Sequence, residues 1–186
     1  MLGYAFTGSF CTLSRSLETL RSLVLSGYEI QPIMSHFVYT ASTRFTDAVT
    51  FRGQVEAITG RQVIHTVEEA EPLGPKTPLE ALIIAPCTGN TLAKIANGIT
   101  DTAVTMAAKA HLRCDRPLLI ALASNDAMSQ NLPNLSRMLE RKSVYFVPMR
   151  QDDPEHKPHS LIADFSRVGE CLEAALLGRQ ERPIFI

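Results

Sequence analysis

The 186-residue chain has no tryptophan, only four cysteines and no excess of charge of either sign. Eighteen Lys and Arg against nineteen Asp and Glu leave a formal net charge of −1. That balance offers no general attraction to nucleic acid or to an anionic membrane surface. No run approaches the ~20 apolar residues that a bilayer span requires. Cys11, Cys87, Cys114 and Cys171 are widely spaced with no C-x-x-C, which speaks against structural zinc and against a disulfide framework. Reduced thiols in a cytoplasm fit that pattern. The opening "MLGYAFTGSF" lacks the basic start of a secretory signal and reads as a first strand. G-x-G-x-x-G and G-x-x-x-x-G-K-[ST] are both missing, so neither a nicotinamide fingerprint nor a P-loop is present. There is no internal repeat and no low-complexity tract.

What is present is an ordinary globular composition, 45% hydrophobic and 20% charged. The length suits one domain over residues 1–186, burying roughly 70% of its unfolded surface. Apolar clusters alternate with helical segments. A strand is expected at Leu2–Phe6. A helix follows, with Leu13, Leu17, Leu20, Leu23 and Val24 on one face and Gly27 just past its end. A second strand is expected near 29–34, a helix near 45–59 ending at Gly60, and a short strand at "QVIH". Pro72, Pro75 and Pro78 then make a rigid, irregular connection. Strands near 81–85, at "RPLLIALA" and at "VYFVP" are separated by helices at "NTLAKIANG", "DTAVTMAAKAHL" (broken near Gly98) and "LPNLSRMLERK". A last helix is expected near 161–177. This βαβα rhythm predicts an α/β fold: one doubly wound, Rossmann-like parallel sheet of about six strands with helices on both faces.

Such sheets bind ligands outside the carboxyl ends of their strands. Three segments follow predicted strands there: "TGSFCT", "CTGNTLAK" and "SNDAMSQN". Each is rich in hydroxyls, amides and glycine, and each can present backbone N–H groups or a helix N-terminus to an anion. Gly8 permits close backbone approach, and Ser9 and Thr12 add hydroxyl donors. A mononucleotide held without the two missing signatures points to FMN, whose single phosphate needs one such nest. Turn and cap chemistry alone also places Ser, Thr, Asn and Gly at helix starts. Cys11 near a helix N-terminus reads either as a reactive thiol or as a small buried residue. His156 and His159 stand beside Asp152, Asp153 and Glu155. Pro154 and Pro158 oppose a helical ligand pair, and the loop reads as a charged surface with no metal.

"TGS" after the first strand, "APCTGNTLAKIANGITD" and "SNDAM" resemble the flavoprotein family of flavin-containing cysteine decarboxylases. The family pattern A-P-x-T-x-N-T-x-x-K-x-A-x-G-x-x-D is met by Ala85, Pro86, Thr88, Asn90, Thr91, Lys94, Ala96, Gly98 and Asp101. The later pattern P-x-M-N-x-x-M-W survives at Asn125 and Met128, while Leu122, Ser124 and Ser129 depart from it. The family's catalytic His would fall near Pro72, and His65 lies seven residues too early, which disfavours decarboxylation. "TLSRSLETL", "AEPLGPKTPL", "RPLLIALASNDA" and "QDDPEHKPHSLIADF" further resemble the family of dipicolinate synthase B subunits.

That resemblance implies a cytoplasmic protein of the mother cell in a sporulating bacterium. It implies a partner, the A subunit of the synthase, with which the chain oxidises dihydrodipicolinate to dipicolinate. NADP supplied through that partner is an alternative source of the chemistry, with this chain as a non-catalytic partner. A flavin-dependent decarboxylase is a further alternative, and a homo-oligomer is expected. The resemblance implies Gly8, Ser9, Ser35, Thr88, Gly89, Asn90 and Asn125 as the FMN-binding set, with Ser9 and the Thr88–Asn90 turn near phosphate or ribityl. Asn125 is placed near the ring, and Ser35 and Thr40, after the second strand, are weaker candidates than the rest. Arg44, Lys76 and Lys157 are the candidate cations for the substrate's carboxylates, with solvated surface positions as the alternative. Asp101 either caps a helix or faces a ligand. No catalytic residue is assigned.

Overall fold

A computed structural model describes residues 1–186. Its centre is a sheet in the order β2-β1-β3-β4-β7-β6, with β5 also on β4. The strands are β1 (Leu2–Phe6), β2 (Ile30–Met34), β3 (Leu82–Cys87), β4 (Leu118–Ser124), β5 (Val144–Phe146), β6 (Met149–Arg150) and β7 (Leu161–Ala163). The first five pair in parallel, and β6 and β7 run antiparallel. The helices are α1 (Leu13–Leu25), α2 (His36–Thr40), α3 (Ala48–Thr59), α4 (Val67–Ala70), α5 (Gly89–Ala96), α6 (Ala103–Leu112), α7 (Leu132–Leu139) and α8 (Val168–Leu176).

Every residue of β1, β3 and β4 is buried, as a sheet covered on both faces demands. Alternate side chains feed two separate cores. Leu82, Ile84, Leu118, Ile120 and Leu122 point into a core shared with α5, α6 and α7. Tyr4, Phe6, Ile83, Leu119 and Ala121 enter the other, with residues of α1, α3 and α8. The helices therefore lie on both faces of a single, mostly parallel sheet, as the sequence pattern predicts.

Local chemistry sets several boundaries. Gly27 and Gly60 have φ of 91° and 66° just beyond α1 and α3, a region that glycine enters at little cost. Asp47 caps α3, accepting from the Thr50 N–H at 2.9 Å, so that helix starts three residues later than expected. The hydrogen bonds from Thr50, with help from Ser42, hold the Asp47 carboxyl below the usual carboxylate range. Thr102, not Asp101, caps α6 through a capping box with Thr105. Asp101 instead pairs with Lys94 at 2.8 Å.

Three expectations are corrected. "QVIH" contributes one bridge, Ile33 to Ile64, rather than a strand. The five-residue α2 stands where the pattern announces no helix. The last helix does not begin at Leu161: Leu161–Ala163 is β7, followed by a tight turn at Phe165–Arg167 and then α8. The reason is on β4, whose outer edge is divided. Leu118–Ile120 pair with β5, but β5 stops at Phe146, before Pro148. Ala123 and Ser124 are left to pair with Ile162 and Leu161. Asp164 then caps the turn by accepting from the Ser166 N–H, which delays the helix start.

Candidate functional site at the carboxyl end of the sheet

In the order β2-β1-β3-β4 the chain leaves β1 toward β2 on one side and toward β3 on the other. The crevice between the carboxyl ends of β1 and β3 is therefore the switch point of the sheet. Two loops meet there. The Thr7 hydroxyl donates to the Pro86 C=O at 2.8 Å and accepts from the Thr88 N–H at 2.9 Å. One buried side chain thus ties the end of β1 to the start of α5. Ser35, at the end of β2, donates its N–H to the Phe6 C=O at 3.0 Å and closes the third side.

Gly8 and Ser9 lie half-buried between these anchors. A Cβ built on Gly8 meets nothing closer than a Phe10 ring carbon at 3.6 Å, so the fold itself does not demand glycine there. The space beside Gly8 is free for a ligand. Ser35 stands at the N-cap of α2, yet its hydroxyl caps nothing. Its Oγ is buried with no hydrogen-bond partner, an arrangement that ordinarily costs about 1–3 kcal/mol. A ligand oxygen at this corner would remove that cost.

Thr88 caps α5, its Oγ1 accepting from the Thr91 N–H at 3.2 Å. The N–H groups of Gly89 and Asn90 in the first turn then have no intrahelical acceptor. Gly89 is required by packing. A Cβ there would lie 2.7 Å from both Asn131 Nδ2 and Asp126 Oδ1, and closer still to Ser124 Oγ. Those three side chains form one cluster. Asp126 accepts from the Ser124 hydroxyl and, at 2.8 Å, from Asn131 Nδ2. Asn131 in turn accepts from Asn134 at 2.9 Å, and Asn134 from Asn97 at 3.0 Å. A carboxylate therefore already stands at the positive end of α5. Asn125, one residue before Asp126, is exposed with its side chain free of intramolecular bonds.

The cradle's thiol is chemically quiet. Burial pushes the Cys87 thiol well above its ordinary range. Cys11 is exposed, 3.9 Å from Ser9 Oγ, so the buried reading of Cys11 does not hold.

The loop of residues 151–160 also reaches this end of the molecule. The Met128 N–H donates to the His159 C=O at 2.9 Å, which fastens the loop to the segment after β4. Within it Asp152 accepts from the Ser160 hydroxyl and pairs with Lys157 at 3.2 Å. That pairing, with a smaller contribution from the Asp153 carboxylate, holds the Lys157 ammonium above its ordinary range. His156 pairs with Asp153 at 3.0 Å within the same loop.

The structure thus gathers Gly8, Ser9, Ser35, Thr88, Gly89, Asn90 and Asn125 around one end of the sheet. Thr40 bonds back to the His36 C=O at 2.8 Å. Of the three candidate cations, Lys157 is engaged by Asp152 within its own loop. Arg44 stacks over Phe45 at 4.8 Å in the connection between α2 and α3. Lys76 is not brought to the cradle. Its segment lies at the amino end of the sheet, where the Glu80 N–H reaches the Met1 C=O and Gly74 packs on Ala110 of α6. Sequence reasoning missed Thr7, Asp126 and Asn131. Thr7 opens the flagged segment after the first strand, where nothing in the sequence marks its bonds to Pro86 and Thr88, and the Asp126–Asn131 link depends on a turn that only the folded loop reveals.

The Flavoprotein family model matches residues 2–168. The chain belongs to the Flavoprotein family. It is 39% identical to the dipicolinate synthase B subunit of Bacillus subtilis, over 100% of this chain and 92% of that protein. The crystal structure of the dipicolinate synthase B subunit from Bacillus halodurans superposes with a TM-score of 0.91 at 39% identity, covering 100% of this chain and 95% of that one. The FMN-dependent cysteine decarboxylase SpaF shares the fold, with a TM-score of 0.70 at 22% identity over 95% and 94% of the two chains. No helix of the flavoprotein chain is long and apolar enough to cross a membrane.

Proposed function

We propose that this flavoprotein is the B subunit of a dipicolinate synthase, holding FMN in the cradle between β1 and β3 and oxidising dihydrodipicolinate to dipicolinate together with an A subunit. The observation that carries this reading is the end-to-end likeness to two dipicolinate synthase B subunits, at 39% identity in both sequence and structure. The site residues fit the cofactor on their own chemistry. The orphaned Ser35 hydroxyl, the open space at Gly8 and the Ser9 hydroxyl offer a corner for a phosphate. The α5 N-terminus, with Asp126 already beside it, suits a neutral, hydrogen-bonding part of the molecule better than a second anion. Thr88, Asn90 and Asn125 would hold that part.

FMN, when bound, supplies the two-electron acceptor that a dihydropyridine needs to become aromatic. The chain's own contribution is orientation and the exclusion of competing nucleophiles. Cys87, the thiol nearest the cradle floor, stays protonated and buried. The segment where the family's decarboxylase His is expected, near Pro72, carries none, and His65 stands at the β2 side, stacked on Tyr39 at 3.7 Å. Decarboxylation is therefore the weaker reading.

The chain carries no recognisable dinucleotide loop, which fits the main reading and one further arrangement equally. In it NADP, as the hydride acceptor, comes with the A subunit, while this chain completes the site. A homo-oligomer and a cytoplasmic mother-cell setting belong to the same proposal. Phe37 of α2, Phe45 in the connection that follows and Val49 of α3 are each exposed, apolar surface that a second copy would cover.

The test is reconstitution. Purified A and B subunits are mixed with dihydrodipicolinate, with and without FMN and NADP, and dipicolinate is followed by its ultraviolet absorption. Product that requires this chain and FMN supports the main reading. Product that requires this chain and NADP but not FMN selects the second arrangement. Product formed equally well without this chain removes both.

A further inference from the structure

A cavity of about 590 Å³ lies on the other side of the cradle loop, between α1 and the β6–β7 hairpin. It falls within the range of pockets that hold small molecules, roughly 300–1,000 Å³. Its lining includes Arg15, Glu18 and Thr19 of α1, Arg150 of β6, and Asp164 and Ser166 after β7. The register places it at the carboxyl end of the sheet. Arg150 is opposite Ile162, and Ile162 is opposite Ala123, the residue before the end of β4. Arg15 is in the first turn of α1, four residues after Cys11 of the cradle loop. The 151–160 loop springs from Arg150 and is fastened through its His159 C=O to the Met128 N–H after β4, so it runs from the cavity to the edge of the cradle.

The charges in this cavity are unequal in their engagement. Asp164 is spent on the Ser166 N–H at 3.1 Å and on the Ser166 hydroxyl at 2.6 Å. Neither Arg15 nor Arg150 takes part in any ion pair or side-chain hydrogen bond within the chain, and Glu18 has no partner either. Two guanidinium groups thus line one concave surface with their donors unused. A guanidinium is the side chain best matched to a planar carboxylate, through paired N–H···O bonds. Two of them on opposite walls match two carboxylates on one molecule. Glu18 opposes a compact anion in the same space, so the ligand's negative charge must be divided between the arginine ends.

We propose that Arg15 and Arg150 form the binding site for a small planar dicarboxylate, and that Glu18 sets its selectivity against compact anions. The inference rests on the dipicolinate synthase reading and gives the substrate a place beside the cofactor cradle. It replaces Arg44 and Lys76 as the carboxylate partners.

The experiment is calorimetric titration of the purified chain with dipicolinate and with benzene-1,3-dicarboxylate, which has the same spacing of carboxylates without the metal-chelating nitrogen. Arg15→Gln and Arg150→Gln are each expected to weaken both ligands roughly tenfold. Glu18→Gln is expected to tighten them, and inorganic phosphate to compete poorly until Glu18 is replaced. FMN affinity should be unchanged in all three variants, whose positions are outside the cradle. All three side chains are solvent-facing on regular elements, so the variants retain the fold, and a melting curve checks this. Dicarboxylate binding that is indifferent to Arg15 and Arg150 overturns the proposal while leaving the dipicolinate synthase reading intact. A wild-type chain that binds neither dicarboxylate, yet forms dipicolinate in the reconstituted synthase, also overturns it. A chain that neither binds a dicarboxylate nor supports product formation overturns the proposal and the underlying reading together.

Discussion

At the scale of single residues, two glycines of the cradle separate folding from binding. Gly89 is enclosed by Ser124, Asp126 and Asn131, whereas Gly8 has room beside it. Gly89→Ala should therefore destabilise the chain by about 1–3 kcal/mol in urea denaturation, the usual cost of forcing a methyl group into a packed site. Gly8→Ala should leave the midpoint within about 0.5 kcal/mol of wild type, as substitutions without a packing conflict do, while weakening FMN binding. Ser35 gives the opposite pairing of effects. Removing an unpartnered buried hydroxyl with Ser35→Ala should leave the cofactor-free chain as stable or more so, and should lower affinity for FMN but not for riboflavin, which lacks the phosphate. Equal losses for both flavins would show that Ser35 does not meet the phosphate.

His111 is a residue-scale determinant of acid stability, remote from the cradle. It is fully buried, with Nε2 2.8 Å from the Pro117 C=O and Nδ1 without a partner. Burial, reinforced by the neighbouring Arg116 charge and opposed by the Pro117 bond, lowers its pKa below the ordinary 6.5. The unfolded chain consequently binds the proton first. The stabilisation from keeping His111 neutral is complete above about pH 6.5 and is lost as pH falls from there toward the folded-state value. Denaturation at pH 7.5 and pH 5.5 should show a stability loss in wild type that shrinks in His111→Gln. An undiminished loss would assign the effect to other groups.

At the scale of elements, the cradle is a junction between strand ends, and Thr7 is its tie. Replacing it by valine keeps the shape but removes the donor to Pro86 and the acceptor for Thr88. The Thr88 N–H and the Pro86 C=O then lose a partner in a buried setting, at a cost of about 1–3 kcal/mol. Thr7→Val should show that loss in its melting curve, with faster amide exchange at Thr88 and the first turn of α5. This scale also shows how much the sequence discloses. β1 at Leu2–Phe6 and the α1 and α3 ends at Gly27 and Gly60 were legible because apolar runs and glycine punctuation are local signals. The cradle's hydroxyl and glycine residues were legible because they follow strands. The β6–β7 hairpin was not, because two- and three-residue strands carry no periodicity and form only where β5 leaves the edge of β4 free. The Ser124–Asp126–Asn131 cluster and the arginine-lined cavity were hidden for a related reason: each joins segments through turns that no pattern announces.

At the scale of the molecule, one mostly parallel sheet carries three contiguous features at its carboxyl end. The cradle between β1 and β3 offers hydroxyls and free N–H groups. The cavity between α1 and β6–β7 offers two unengaged guanidinium groups. The 151–160 loop, fastened by His159 to Met128, borders both. A cofactor and a planar dicarboxylate could meet across that border, as an oxidation of a dihydropyridine requires. Of these, the cradle is the decisive feature, because it holds the cofactor. The direct test is titration of the apo chain with FMN, followed by flavin fluorescence, with riboflavin and the Ser35→Ala variant measured beside it. One saturable FMN site per chain is expected, tighter for FMN than for riboflavin, with that preference lost in Ser35→Ala. A chain that leaves FMN fluorescence unchanged at all concentrations, and elutes free of flavin after incubation with it, contradicts the account.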